Sequence, residues 1–206
     1  MLTLYYAPNT CSLATHITLR DAGAEFQLQR IDFVKKQQVS PEFLSINTKA
    51  RVPALMTENG VLTETPAMLV YIAQTFPEKQ LIPTDDSFSF ARLQAFNSYL
   101  CSTVHVAHAH GKRGDRWADE TSSLEHMKRK LPQSVGDAFQ LIETDFLKGP
   151  WVMGDSYSIA DAYLFTLAQW LEADGVDSYR LPRVIEHRAR MRERESVKQA
   201  LYAESH

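Results

Sequence analysis

The sequence is poor in the materials of disulfide scaffolds, thiolate metal clusters and membrane spans. Its 206 residues include two cysteines, Cys11 and Cys101, too few for a disulfide framework of the exported kind or for a metal centre built on thiolates. No stretch approaches the ~18 uninterrupted apolar residues of a spanning helix, and the opening residues carry neither a basic leader nor a cleavage site. An excess of one charge is lacking as well. The 22 basic and 25 acidic residues leave a net charge of −3, which gives no general attraction to nucleic acid or to an acidic membrane. The expected compartment is the cytoplasm, with no nucleic-acid or membrane partner, and function has to be read from local sites.

What is present is an ordinary globular composition, 44% hydrophobic, in a chain long enough for one large or two small domains. Leu2-Thr3-Leu4-Tyr5-Tyr6 reads as a short strand stopped by Pro8-Asn9. Residues 12–22 recur with helical spacing through Leu13, Ala14, Ile17 and Leu19, and Gly23 supplies the stop. Phe26 to Ile31 alternates strictly, so a parallel βαβ unit follows. Ser40-Pro41 opens a short helix. Val52-Pro53-Ala54-Leu55-Met56 and Val61-Leu62-Thr63 flank Asn59-Gly60 as a hairpin, with Pro53 at a strand start and compatible with a cis bond. Glu64-Thr65-Pro66 then opens a helix over 65–75.

Cys11 stands at the start of the first helix. There the unpaired N–H groups and the positive end of the helix dipole favour a thiolate and attract anions. The competing reading is a small buried hydrophobe. Tyr6, inside the strand, is expected to pack.

The order strand, helix with Cys at its start, strand, short helix, Val-Pro before a hairpin and Glu-Thr opening a third helix resembles the thioredoxin-type half of a glutathione transferase. The wording Tyr5-Tyr6-Ala7-Pro8-Asn9-Thr10-Cys11-Ser12-Leu13, with His16-Ile17-Thr18-Leu19-Arg20 behind it, is similar to the bacterial beta class. The resemblance implies that the backbone before Pro53, at Val52, pairs with the cysteinyl part of glutathione. It implies that Glu64 and Thr65 hold the γ-glutamyl end, and that Lys36 faces the glycyl carboxylate. A peptide with two carboxylates suits such a strand edge, helix mouth and acid on physical grounds. Taken alone, Lys36 reads as solvated and Glu64 as a capping acid.

Residues 77–86 are polar and bracketed by Pro77 and Pro83, which sets a linker between a domain at 1–76 and a second at 87–206. The second half shows helical spacing over 87–111, 119–146 and 158–173, and Leu181-Pro182 opens a further helix. Ser158-Ile159-Ala160-Asp161 is a capping box with a structural role. The fold expected is therefore an α/β thioredoxin-like N-terminal domain plus an all-α C-terminal domain, the glutathione transferase fold.

His105 matches the histidine that beta-class enzymes bring to the sulfur of glutathione, where an imidazole stabilises a thiolate or passes a proton. Without the resemblance it reads as a structural, hydrogen-bonded residue. His105, His108 and His110 would make a zinc site only if the helix broke by His110, as Gly111 would permit, and no metal is expected. Beyond Val106 the chain departs from the class. Lys112, Arg113, Arg116 and Trp117 suit an anionic or planar second substrate if they line its pocket, with Gln169-Trp170 as a far wall, or else form a solvated loop.

The resemblance implies an enzyme of detoxification, a cytoplasmic homodimer that conjugates glutathione, its cosubstrate, to an electrophilic small molecule, with Cys11 and His105 in the catalytic roles. One alternative is a glutathione-dependent thiol-disulfide oxidoreductase or peroxidase acting through Cys11. Another is a non-catalytic, partner-binding member of the family.

Overall fold

A computed structural model describes residues 1–205. In chain order its elements are β1 (Leu2–Tyr6), α1 (Ser12–Asp21), β2 (Phe26–Arg30), α2 (Pro41–Ile46), β3 (Ala54–Thr57), β4 (Gly60–Thr63) and α3 (Thr65–Thr75). They continue as α4 (Ser87–Tyr99), α5 (His105–Lys112), α6 (Thr121–Leu141), α7 (Ile159–Ala168), α8 (Pro182–Arg192) and α9 (Glu195–Ser205). By contacts these form two compact units, one of Met1–Ser87 together with the chain from Arg192 on, the other Phe88–Met191. The expected division assigned everything from 87 onward to the second domain, whereas α9 packs with the first unit.

In the first unit the strands run in the order β2-β1-β3-β4, with β1 parallel to β2 and antiparallel to β3, and β3 antiparallel to β4. Leu4 and Leu55 are fully buried at the centre of the sheet, and Ile17, Leu69 and Ile72 of the packed pair α1 and α3 join them. Gly23 adopts a positive φ of 64° and its N–H bonds back to the Arg20 carbonyl, the left-handed ending that a side chain would strain. Ser40 accepts from the Phe43 N–H and Pro41 fills the first helical position of α2.

Helix α9 is fixed to α1 by polar side chains. His16, fully buried, contacts Glu204 through Nδ1 at 3.0 Å, and Arg20 donates from Nε to His16 Nε2 at 3.0 Å. Arg194 reaches Asp21 at 2.8 Å. Removing one member of such a buried set would strand the others away from water.

In the second unit the long helix expected over 87–111 is interrupted in register. A wide π turn at Leu100–Val104 joins α4 to α5, and a second at Ile142–Phe146 extends α6. Gly111 does not break the helix. It is buried where a Cβ would lie 2.4 Å from Leu131 Cδ2, so its small size serves the close approach of α5 to α6. Among the described residues no helix is long and apolar enough to cross a membrane.

Every residue of α7 is buried, which places its capping acid in the interior. Asp161 Oδ2 accepts from the Ser158 N–H at 2.8 Å and Oδ1 accepts from the Val152 N–H at 2.8 Å. His187 Nε2 also lies 3.0 Å from Oδ1. One carboxylate thereby ties the start of α7 to the preceding loop and to α8. Replacing Asp161 by Ala is expected to destabilise the protein by about 3–5 kcal/mol, since it orphans a buried histidine and two N–H groups. Replacing Ser158 by Ala is expected to cost only about 1 kcal/mol. Urea unfolding of the two variants should give that ranking.

Candidate functional site

Strand register gathers the site at one end of the first sheet. Tyr5 pairs with Ala54 and Ala54 with Thr63, so the turn after β1, the Val52-Pro53 approach to β3 and the Glu64-Thr65 exit from β4 all leave the sheet at the same end. The parallel pairing of Tyr6 with Arg30 sends the chain toward Lys36 from that end too.

The β1–α1 turn is tied by hydroxyls. Thr10 Oγ1 donates to the Ala7 carbonyl at 2.8 Å and lies 2.8 Å from Ser12 Oγ, while Ser12 Oγ bonds the Ala7 carbonyl at 3.1 Å. Asn9 takes the left-handed φ of 60° that the turn needs. Cys11 follows as the residue before Ser12 at the head of α1, 9% exposed, with its Sγ donating to the Val52 carbonyl at 3.6 Å. A carbonyl only accepts, so this contact suits the thiol, while the helix terminus favours the thiolate. Tyr6 packs inside the sheet as expected. Burial pushes its phenol up, the Glu204 carboxylate adds to that and Arg30 opposes it.

Val52 is buried, lies beyond the ends of the β3 ladders and precedes Pro53 across a cis peptide bond. Asn47 holds this approach, with Nδ2 donating to the Arg51 carbonyl at 2.7 Å and Oδ1 accepting from the Lys49 N–H at 3.1 Å. Thr65 is buried at the first position of α3, so its N–H belongs to an uncapped helix mouth. Glu64 adopts a φ of 71° and is exposed, with its carboxylate bound by Lys49 Nζ at 2.5 Å; the same ammonium reaches Thr63 Oγ1 at 2.6 Å. Lys36 is exposed in a left-handed conformation, φ 55°, ahead of a single helical turn at Gln37–Val39.

His105 belongs to the second unit. It begins α5 directly after the π turn, is half-buried, and receives a hydrogen bond at Nε2 from Arg113 Nη2 at 3.2 Å. The Trp170 ring lies 5.3 Å away and His108 stacks on that indole at 4.2 Å. His108 Nδ1 meets the buried Asp174 carboxylate at 2.7 Å, and Lys112 donates to the Ala173 carbonyl at 3.1 Å. His110 instead bonds the Val106 carbonyl and stacks on half-exposed Trp117 at 4.2 Å. His105 and His108 share the Trp170 indole but bond different polar groups, His110 turns to Trp117, and among the described residues no group of three metal-binding side chains converges.

Asn47, Lys49 and Thr10 went unread in the sequence, and Arg113 was read only as one cation of the 112–117 segment, not as a partner of His105. Asn47 had a signal, an Asn before a Lys-Ala turn where Asx bonding is favoured. Lys49 and Arg113 act across 15 and 8 residues, with no local pattern to mark them.

Residues 1–74 match the family model for the glutathione S-transferase N-terminal domain and residues 93–195 that for the C-terminal domain. The chain is 32% identical over 205 residues to the glutathione S-transferase GstA of Escherichia coli O157:H7, covering 98% of each chain. A Sulfitobacter glutathione transferase homologue solved with bound glutathione superposes with a TM-score of 0.96 at 42% identity, over 98% of each chain. A beta-class glutathione S-transferase of Sphingomonas chungbukensis gives 0.86 at 31% identity, also over 98% of each.

The hydroxyl ties around Cys11 carry a direct expectation. Ser12→Ala removes a fully buried hydroxyl that serves both polar groups of Ala7, and should cost about 1–3 kcal/mol in urea unfolding. With the turn loosened, Cys11 of the folded variant should be alkylated faster by iodoacetamide than in the parent protein, as followed by peptide mass spectrometry.

Proposed function

The chain belongs to the glutathione S-transferase family, and from that premise we propose that it is a beta-class enzyme that conjugates glutathione to an electrophilic small molecule. The observation that carries the reading is the register that brings the Cys11 turn, the Val52 main chain and the Glu64-Thr65 helix mouth to one end of the sheet. These groups answer to the parts of the tripeptide. Main-chain groups at Val52, ahead of Pro53, pair with its cysteinyl residue in the manner of an added strand. The α3 terminus and the Thr65 hydroxyl receive the γ-glutamyl carboxylate, and Glu64 receives the amine. Lys36 approaches the glycyl carboxylate.

Lys49 modifies this picture in a way specific to the chain. Its ammonium already sits on Glu64, so an incoming α-ammonium group exchanges one cation for another at the same carboxylate. Because both side chains are largely exposed, that exchange is a small term. Cys11 and His105 are the proposed catalytic pair: the first places a thiol at a helix mouth, the second supplies an imidazole for the sulfur's proton. The same reading makes the protein a cytoplasmic homodimer acting in detoxification.

A second reading follows from the presence of a thiol at the β1–α1 turn. In it the Cys11 thiolate attacks the glutathionyl sulfur of a mixed disulfide, forming a Cys11–glutathione disulfide and releasing the substrate thiol. A second glutathione thiolate then attacks, leaving as glutathione disulfide and restoring Cys11.

Calorimetry tests the premise. Glutathione is expected to bind the intact protein, and Glu64→Gln to weaken it by roughly two- to fivefold, the worth of one largely exposed ion pair. Absence of heat at millimolar glutathione would remove both enzymatic readings. Assays of Cys11→Ala with an aromatic halide and with a glutathione mixed disulfide then separate them. Loss of only the second activity assigns Cys11 to exchange.

A further inference from the structure

We infer that Lys49 is a specificity-determining residue whose ammonium stands in for the α-ammonium of the tripeptide, so that the γ-glutamyl subsite also accepts glutathione-type peptides that lack this group. The inference deepens the proposed function and rests on its assignment of Glu64 to the ligand's amine.

The arrangement is built within the first unit alone. Lys49 lies in the approach to β3 and Glu64 at the exit from β4, and the pairing of Ala54 with Thr63 brings those two segments side by side. Lys49 Nζ donates to Glu64 Oε1 at 2.5 Å and to Thr63 Oγ1 at 2.6 Å. A primary ammonium thereby occupies the carboxylate to which the ligand's own primary ammonium is assigned. The backbone beneath it is fixed. The Lys49 N–H donates to Asn47 Oδ1 at 3.1 Å, and Ala50, at a left-handed φ of 54°, donates its N–H to the Asn47 carbonyl at 3.0 Å.

Discrimination between two ligands is the difference of their binding free energies. A site rejects an analogue that lacks one polar group chiefly when the partner of that group is left buried and unpaired. Glu64 meets neither condition. Its side chain is 57% exposed, and its charge is already matched by Lys49, itself 42% exposed. A peptide without the amine leaves Glu64 with the cation it has in the free protein. A peptide with the amine has to displace Lys49 or share the carboxylate with it, and gains less than it would from a bare carboxylate.

The lysine also favours the amine-free peptide directly. Of the three N–H donors on its ammonium, Glu64 and Thr63 take two. The third is left for the carboxylate that such a peptide still carries, which the proposed function assigns to the Thr65 helix mouth beside Glu64. Without Lys49 that carboxylate would face Glu64 as one negative charge beside another. Lys49 therefore acts in opposite senses on the two ligands, and the class accepted is tripeptide thiols with a carboxylate-bearing γ-acyl residue, with or without the α-amine.

Calorimetry on the full-length protein tests this with two peptides, glutathione and glutaryl-cysteinyl-glycine, the same molecule with its α-amine replaced by hydrogen. Low salt is needed, because exposed charge pairs are screened at high salt. Wild type is expected to bind the amine-free peptide within about fivefold of glutathione. In Lys49→Met the gap is expected to widen by about two- to fivefold, with glutathione bound more tightly and the analogue more weakly, whereas Lys49→Arg keeps the charge and a gap close to wild type. A wild-type gap above about fivefold overturns the inference, as does a gap no wider in Lys49→Met than in wild type or as wide in Lys49→Arg as in Lys49→Met. The wild-type comparison decides even if a variant does not fold. The two failures are distinguishable: no binding of either peptide by wild type defeats the proposed function, while glutathione binding with a gap indifferent to Lys49 defeats this inference alone.

Discussion

The pairing register of β1 with its two neighbours is the constraint from which the candidate site follows. Parallel β1 and β2 need a crossover, and that crossover is α1, whose N-terminus must therefore lie at the carboxyl end of β1. Antiparallel β3 begins where β1 ends, and β4 ends where β3 begins. A helix terminus, a strand approach and a second helix terminus are thus brought together by topology before any side chain is specified. The side chains then defend the arrangement. Leu4 and Leu55 pair across the centre with no exposed surface, and a slip of one residue would turn both strands' buried sets to the opposite face.

Topology supplies the place but not the fine geometry, which depends on short polar ties and on uncommon backbone conformations. Ala50 and Glu64, neither of them glycine, adopt φ values of 54° and 71° on the two sides of the site. Such conformations cost of order 1–3 kcal/mol each and persist where the surroundings over-determine them. Here the determinants are visible. The Ala50 N–H bonds the Asn47 carbonyl while the Asn47 side chain spans the same turn to Arg51. At Glu64 the carbonyl accepts from the Met68 N–H at 3.1 Å, starting α3, as Lys49 holds the carboxylate. Asn47 and Lys49 belong to one segment, so both conformations are braced from the same loop.

What the sequence made legible was local. The β1–α1–β2 unit, the Asn59-Gly60 hairpin, the Ser40-Pro41 helix start and the Ser158–Asp161 cap all announce themselves within a few residues, because periodicity, turn chemistry and capping act over that range. Contacts between distant side chains gave no such sign. Glu204 meets His16 across 188 positions, and nothing in 195–205 distinguishes a helix returning to the first unit from one closing the second. The π turn at Leu100–Val104 was hidden for another reason. A single widened turn leaves the apolar recurrence of 87–111 nearly intact, since Leu93, Phe96, Leu100 and Val104 stay buried. That turn immediately precedes His105 and sets its angular position, an irregularity that spacing does not record.

The two arginine-bonded histidines show how the same contact leads to different ends. In both, an arginine donates to Nε2, Arg20 Nε to His16 at 3.0 Å and Arg113 Nη2 to His105 at 3.2 Å, so both rings carry their proton on Nδ1. His16 is fully buried and commits that proton to Glu204, making a closed Arg–His–Glu line whose charges balance within α1 and α9. Its effect is on stability, because both ring nitrogens have been met by the fold itself. His105 is only half-buried, and the group that polarises it is a cation on the far side of the ring. The arginine contact is therefore common to both rings and burial differs: at His16 it belongs to a clasp between α1 and α9, and at His105 it ties the start of α5 to the turn that follows that helix.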